Sequence, residues 1–276
     1  MTIQHDHFMK ITLIGAGNLA TNLGMALCKA GHTVSQVFSR TMDSAETLAN
    51  QIGAQATNNI ESVDHDSDIY IVALKDSVVA SLLPSLAKGR EDRLFVHTAG
   101  SLPADIFKPY FWHYGVVYPM QTFSKSRIVD FRNIPCFIEA ESRKSLSYIR
   151  QLTASLSERV IELNSEKRRY VHLAAVFACN FSNLCYQLAH KVLETEDIPF
   201  DVMLPLIDET ARKVHDMSPE EAQTGPAIRY DRNVIDKHMD MLAEITLATS
   251  QPSSLAGFYQ TASNLIHQLA TTPPPE

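Results

Sequence analysis

The sequence predicts an α/β protein, a doubly wound sheet followed by an all-helical domain. Three observations carry that expectation. Ile11-Thr12-Leu13-Ile14 has the pattern of a buried strand and runs into Gly15-Ala16-Gly17-Asn18-Leu19-Ala20, a G-x-G-x-x-A turn that opens a helix. Strand and helix patterns then alternate to about residue 164. Beyond Ser165 strand signals stop and helical periodicity takes over. The expected domains are residues 1–164 and residues 165–276.

Leu19, Ala20, Leu23, Gly24 and Leu27 give the first helix one apolar face, Gly31 stops it, and Thr33–Phe38 supplies the second strand. A helix is expected near Asp43–Ala49. Asp68–Leu74 is a near-continuous apolar strand of the kind a parallel sheet buries. A helix over Ser77–Leu86 and strands at Arg93–His97, Gly115–Tyr118, Ile134–Glu139 and Arg159–Leu163 follow, with a helix near Ser142–Ser155. The second domain reads as a long helix from Glu166 to about Glu194, then helices over Phe200–His215, Asn233–Thr246 and Ser254–Ala270. Pro273-Pro274-Pro275-Glu276 cannot continue a helix and is expected to be disordered, and His5 and His7 belong to a mobile N-terminus.

The chain has 276 residues, 45% hydrophobic and 20% charged, with a net charge of −7. No basic cluster is long enough for a nucleic-acid footprint; Lys167-Arg168-Arg169 reads as a solvated helix face. No apolar run approaches the length of a membrane span, and the N-terminus lacks a signal-peptide core. Cys28, Cys136, Cys179 and Cys185 show no metal-type spacing, and each lies in an apolar segment. They read as reduced core residues of a cytoplasmic protein. The histidines form no H-x-x-x-H pair, so no metal site is expected.

In the glycine turn, Gly15 and Gly17 let the backbone approach a diphosphate. The amides near Asn18 and Leu19 and the positive end of the helix dipole point at the same place. A site preferring NAD places a carboxylate at the end of the second strand, whereas this chain has Ser39-Arg40-Thr41. A guanidinium flanked by hydroxyls would hold a 2′-phosphate, so the expected cofactor is NADP(H). The bland alternative is that Arg40 is a solvated charge and Ser39 or Thr41 caps the next helix.

Ligands bind beyond the carboxyl ends of such strands. Leu74 and Lys75 are candidates for the nicotinamide ribose, and Thr98 and Gly100 permit close approach of the backbone after the next strand. His97 either titrates near neutral pH as a proton donor or is a strand-end histidine bonded to backbone. Tyr118-Pro119-Met120-Gln121-Thr122-Phe123 forms a polar turn after a short strand. His172, Val176, Asn180 and Asn183 share one stripe of about 80° on the long helix at 100° per residue. The two asparagines, poor helix formers, serve a site or satisfy backbone between helices. Arg229 would hold an anion or pair with Asp231.

These motifs resemble a bacterial family that pairs a Rossmann-like domain with a C-terminal helical domain of unknown function, its members labelled NADP oxidoreductases. The residues that carry the resemblance run in order from the glycine turn through His97–Ser101, Tyr118–Phe123 and His172–Asn180 to Thr224–Asp231. More distantly the chain is similar to pyrroline-5-carboxylate reductases, deazaflavin-dependent NADP oxidoreductases and β-hydroxyacid dehydrogenases. The resemblance implies hydride transfer to or from a small polar substrate in an interdomain cleft, and a homodimer built through the helices. The candidate proton donors are then His97, His172 and Tyr118, with Asn180, Gln121, Asn183, Arg229 and Asp231 orienting substrate. Three departures stand out. β-Hydroxyacid dehydrogenases place lysine at the slot of Val176, and the family pattern has histidine at Tyr118 and glycine at Tyr230. The missing lysine tilts the expectation toward C=N chemistry, and leaves a non-catalytic NADP(H) sensor as the alternative.

Overall fold

The computed structural model describes residues 8–249 and 254–272. The expectations for His5, His7 and the proline-rich tail lie outside the described residues. Contacts divide the chain into two compact units, Met1–Cys179 and Asn180–Glu276.

In the first unit the order is β1 (Lys10–Ile14), α1 (Asn18–Lys29), β2 (Thr33–Phe38), α2 (Met42–Ile52), β3 (Gln55–Thr57), β4 (Ile69–Val72) and α3 (Asp76–Ala87). Then come β5 (Leu94–His97), β6 (His113–Pro119), β7 (Cys136–Ala140), α4 (Arg143–Leu156), β8 (Val160–Glu162) and α5 (Ser165–Ala175). The eight strands form one sheet in the order β3-β2-β1-β4-β5-β6-β7-β8. Every neighbouring pair is parallel except β6 and β7, which run antiparallel with Tyr118 opposite Phe137.

That one reversal falls between two strands for which no intervening helix is expected from the sequence. The β6–β7 connection holds a short 3-10 turn (Phe131–Asn133) and no α-helix, and a parallel return needs a longer crossover. β3, three residues at the sheet edge, carries too little pattern to be read in advance.

Period-two alternation explains why the sheet is covered on both faces. Ile11, Leu13, Ile69, Ile71, Val96 and Val117 enter one core, which Leu23 and Leu27 of α1 and Ile149 and Leu152 of α4 complete. Ile14, Tyr70, Val72, Phe95, Val116 and Tyr118 enter the other, closed by Val79, Leu83 and Leu86 of α3. Phe95 lies between Tyr70 and Phe111, with ring centroids 4.5 and 3.9 Å apart. Tyr118 therefore belongs to the α3 face of the sheet.

The expected single helix from Glu166 to Glu194 is interrupted. α5 gives way to a π-helical segment, Val176–Phe181, before α6 (Ser182–Glu194). The wider π turns advance less in azimuth per residue, so Asn180 and Asn183 do not continue the stripe of His172 and Val176 at regular spacing. The unit division falls inside this segment because α5 is bonded into the sheet unit, as described below.

The second unit adds α7 (Leu204–Asp216), the single turn α8 (Pro219–Ala222), α9 (Arg232–Thr249) and α10 (Ser254–Thr271). Cys185 on α6 is exposed and Cys28 and Cys179 are partly buried, which corrects the expectation of four core cysteines; only Cys136 is buried.

Candidate active site

Loops at the carboxyl edge of the parallel strands occur in the order of the sheet. Arg40 follows β2, the glycine turn follows β1, Leu74 and Lys75 follow β4, Thr98 and Gly100 follow β5, and Tyr118 is the last residue but one of β6. At about 4.8 Å per strand this series spans four spacings, about 19 Å. That is room for an extended dinucleotide.

Local geometry at this edge suits a phosphate-bearing ligand. Gly15 has φ +126°, and a Cβ there would stand 2.3 Å from the Ala73 carbonyl oxygen, so only glycine fits. Its amide donates to Phe38 O at 2.7 Å, locking the turn. A Cβ at Gly17 would meet nothing within 4 Å, and Gly17 and Asn18 are exposed, which leaves open space ahead of α1.

The helices that start here, α1, α2 and α3, have no side-chain cap, whereas Ser142 caps α4 and Asn164 caps α5. Uncapped first-turn amides on a positive dipole end suit an anion. Thr41 occupies the cap position of α2, yet its hydroxyl donates to Ser44 Oγ at 2.9 Å rather than capping. Arg40 is exposed and forms no ion pair among the described residues. The residues present fit NADP(H): glycines and free amides for the diphosphate, and a free guanidinium for a 2′-phosphate.

Three separate segments converge at the far end of the edge. Tyr118 Oη and His172 Nδ1 are 3.1 Å apart, linking the end of β6 to α5. Gly100 closes the cluster. A Cβ there would lie 2.7 Å from His172 Nδ1 and 2.9 Å from Tyr118 Cζ, so any side chain at position 100 would push the pair apart. Tyr118 is buried, and burial holds its phenol above the ordinary tyrosine range; Arg168 pulls it down and Asp76 pushes it up. His172 is half-buried. Asp76 also accepts a hydrogen bond from Ser101 Oγ, tying the start of α3 to the loop after β5.

His97 does not titrate near neutral pH. It is fully buried, and burial with the nearby Arg168 charge lowers it from 6.5 to about 4. Its Nε2 faces the Pro103 carbonyl at 3.3 Å and must donate, while Nδ1 accepts from Ala99 N at 3.2 Å. These bonds fix a neutral tautomer, the backbone-bonded alternative of the sequence analysis.

Arg168 overturns a second expectation, the solvated basic run. It is fully buried, ion-paired with Glu139 and bonded to the Leu102 carbonyl. Asn22 was also missed. It is buried in α1, donates to Ser124 O at 2.9 Å and accepts from Val129 N at 3.0 Å, holding the loop that carries Gln121. Gln121 itself is exposed, with its side chain accepting from the Thr122 amide. Both missed side chains are long-range ties, and nothing in local pattern marks them. Among the described residues no group of three or more His, Cys, Asp or Glu is placed to hold a metal.

The second unit carries the other predicted residues. Asn180, Asn183 and Arg229 are exposed. No ion pair joins Arg229 to Asp231 among the described residues; Asp231 instead accepts from Val234 N at the start of α9. Tyr230 has φ +53°, which explains why glycine suits that slot. Here the tyrosine is held by stacking on His267, centroids 4.3 Å apart, and by Arg232, which donates to its hydroxyl at 2.8 Å.

A sheet of this order with this edge defines a dinucleotide-binding architecture. The family model described as NADP oxidoreductase, coenzyme F420-dependent, matches residues 10–100, and a domain of unknown function, DUF2520, matches residues 134–266. A crystal structure of a "putative NADP oxidoreductase" from Bacteroides fragilis is 50% identical, covers 95% of this chain and 98% of that one, and superposes with a TM-score of 0.89. The chain belongs to this family of NADP oxidoreductases. It is an enzyme, and its cofactor is NADP(H). Fold likeness extends to an imine reductase from Myxococcus stipitatus in complex with NADP+ (15% identity, 94% of this chain and 95% of that one, TM-score 0.68). It extends also to a pyrroline-5-carboxylate reductase from Coxiella burnetii (15%, 96% and 100%, TM-score 0.58). No curated protein matches the chain.

Proposed function

We propose that this enzyme moves a hydride between NADP(H) and the carbon of a C=N or C=O group in a small polar substrate, with Tyr118 as proton donor and His172 as its partner. The observation that carries the reading is the Tyr118 Oη–His172 Nδ1 contact of 3.1 Å, packed against Gly100 at the carboxyl edge. NADPH bound there supplies the hydride. Its diphosphate would rest on the turn of Gly15 and Gly17 and the amides near Asn18 and Leu19. Its 2′-phosphate would meet Ser39, Arg40 and Thr41, and its nicotinamide end Leu74, Lys75, Thr98 and Gly100.

The chain's own residues manage the proton. As the substrate carbon gains hydride, a carbonyl oxygen or an unprotonated imine nitrogen takes the proton of Tyr118 Oη; an imine that arrives protonated needs none. His172 Nδ1 returns a proton to the phenolate, and His172, half-exposed, is reprotonated from water. His97 has no part in this, since neither ring nitrogen is free.

C=N is favoured over C=O. Val176 supplies no ammonium where β-hydroxyacid dehydrogenases have lysine, and an imine nitrogen can arrive already protonated, so it asks less of a weak phenolic donor. Fold likeness to the imine reductase and pyrroline-5-carboxylate reductase supports the same choice.

Two copies of the chain would assemble through the helical unit, which leaves Leu204, Leu206, Met241, Leu265 and Leu269 exposed. Four free thiols fit a reducing, cytoplasmic setting.

The test is NADPH oxidation against a panel of cyclic imines and 2-oxo acids. With a 2-oxo acid, or with an imine at a pH where its nitrogen is unprotonated, Tyr118→Phe should cut turnover about 100-fold, with NADPH binding unchanged. Full turnover by Tyr118→Phe under those conditions would remove the donor assignment.

A further inference from the structure

Arg168 carries a permanent charge in a fully buried position one helical turn before His172. Nη1 donates to Glu139, and Nη2 donates to the Leu102 carbonyl and, at 3.2 Å, to Ser165 Oγ. Nε has no hydrogen-bond partner among the described residues. Ser165 Oγ in turn donates to Glu139 Oε2 at 2.7 Å and accepts from Ala104 N at 2.9 Å. A buried ion pair with one donor unmet adds little stability over an apolar side chain of equal volume. Stability alone therefore gives no reason for a guanidinium here.

Its bonds give one. They join β7 through Glu139, the loop after β5 through Leu102, and the start of α5 through Ser165. Those elements adjoin the segments that bring Tyr118, Gly100 and His172 together. We propose that Arg168 is a positioning residue for the Tyr118–His172 pair: it fastens α5 to the loop of Gly100 and sets a fixed positive charge one helical turn from His172, the hydrogen-bond partner of the phenol. The inference rests on the donor reading above.

The ionisable groups around Tyr118 are few. His172 and Arg168 lie on α5, Asp76 starts α3, Glu139 on β7 is bound to Arg168, and His97 is neutral. Burial and Asp76 both disfavour the phenolate, and Arg168 is the group that opposes them. The same charge helps keep His97 unprotonated, so protons pass through Tyr118 and His172 alone.

Two variants predict opposite signs. Arg168→Met removes the cation, so Tyr118 should hold its proton more tightly. Glu139→Gln leaves the cation unbalanced, so Tyr118 should release its proton more readily. Tyr118 ionisation is followed by fluorine NMR on protein labelled with 3-fluorotyrosine, the signal assigned by its loss in Tyr118→Phe; no substrate is needed. The expected shifts are about one pH unit, tenfold in proton affinity, upward in the first variant and downward in the second. Arg168→Lys, which keeps the charge but loses the fork, should leave the titration near that of the unaltered protein while lowering kcat at unchanged NADPH affinity. Shifts in one direction for both Arg168→Met and Glu139→Gln, or no shift in either, would overturn the proposal. So would full kcat in Arg168→Lys. If Arg168→Met does not fold, the downward shift in Glu139→Gln decides alone. Loss of the donor reading would show separately, as full turnover by Tyr118→Phe with these shifts intact.

Discussion

His97 and Tyr118 end adjacent strands, yet burial and partners give them opposite fates. His97 is enclosed with both nitrogens bonded to backbone, so it stays neutral; Tyr118 retains a hydroxyl aimed at a titratable ring. The His97 environment has a measurable consequence. Its folded pKa is depressed from 6.5 to about 4, so between those values the unfolded chain binds more protons and stability rises with pH. The contribution is fully present above pH 6.5 and disappears as pH falls toward 4, a difference of about 3 kcal/mol. His97→Gln, which cannot titrate, should show a flatter acid limb in thermal or urea unfolding between pH 7 and pH 4. Parallel stability curves for the two proteins would refute the assignment.

At this scale the sequence marked the residue types but not their roles. Gly100 stood out as a site for close approach, and its reason is two side chains from β6 and α5 that local pattern could not connect to it. Arg168 looked like one of three solvated charges because Lys167 and Arg169 are exposed on either side of it. Its long-range partners Glu139 and the Leu102 carbonyl distinguish it.

Among the elements, those with a strong local signature were legible. The glycine turn predicted β1, α1 and β2 because a tight turn, a helix start and a buried strand each leave their own residue pattern. The near-continuous apolar runs of β4, β5 and β6 were legible for the same reason. What stayed hidden depends on pairing or on backbone detail. The antiparallel β6–β7 pair reflects the absence of a crossover helix, and apolar strands look alike in either direction. The π-helical segment Val176–Phe181 arises within a run that is uniformly helical in composition, and it dissolves the expected four-residue stripe at Asn180. Such segments recur where a helix contributes to function. Here it adjoins the turn that carries His172.

Over the whole molecule the two units differ in how they bury apolar surface. The first has two closed cores, one on each sheet face, while in the second only Ala227, Ile235, Leu242 and Leu255 are buried hydrophobics among the described residues. The second unit also leaves Leu204, Leu206, Met241, Leu265 and Leu269 exposed, the face that the proposed assembly would cover. Sedimentation equilibrium should therefore give a mass about twice the 30.8 kDa of the chain. A monomer at micromolar concentration would contradict the proposed assembly.

The same scale gives the ligand edge its direction, from Arg40 beyond β2 through the glycine turn and Lys75 to Tyr118 at the end of β6. One titration tests that arrangement most directly: binding of NADPH and of NADH to the purified protein and to Arg40→Ala, followed by nucleotide fluorescence and thermal shift. The free guanidinium predicts a clear preference for NADPH. Arg40→Ala should weaken NADPH about 10- to 100-fold, the range of a charge-assisted hydrogen bond, and leave NADH unchanged. Equal affinity for the two nucleotides, or an Arg40→Ala variant that binds NADPH as well as the unaltered protein, would contradict the account.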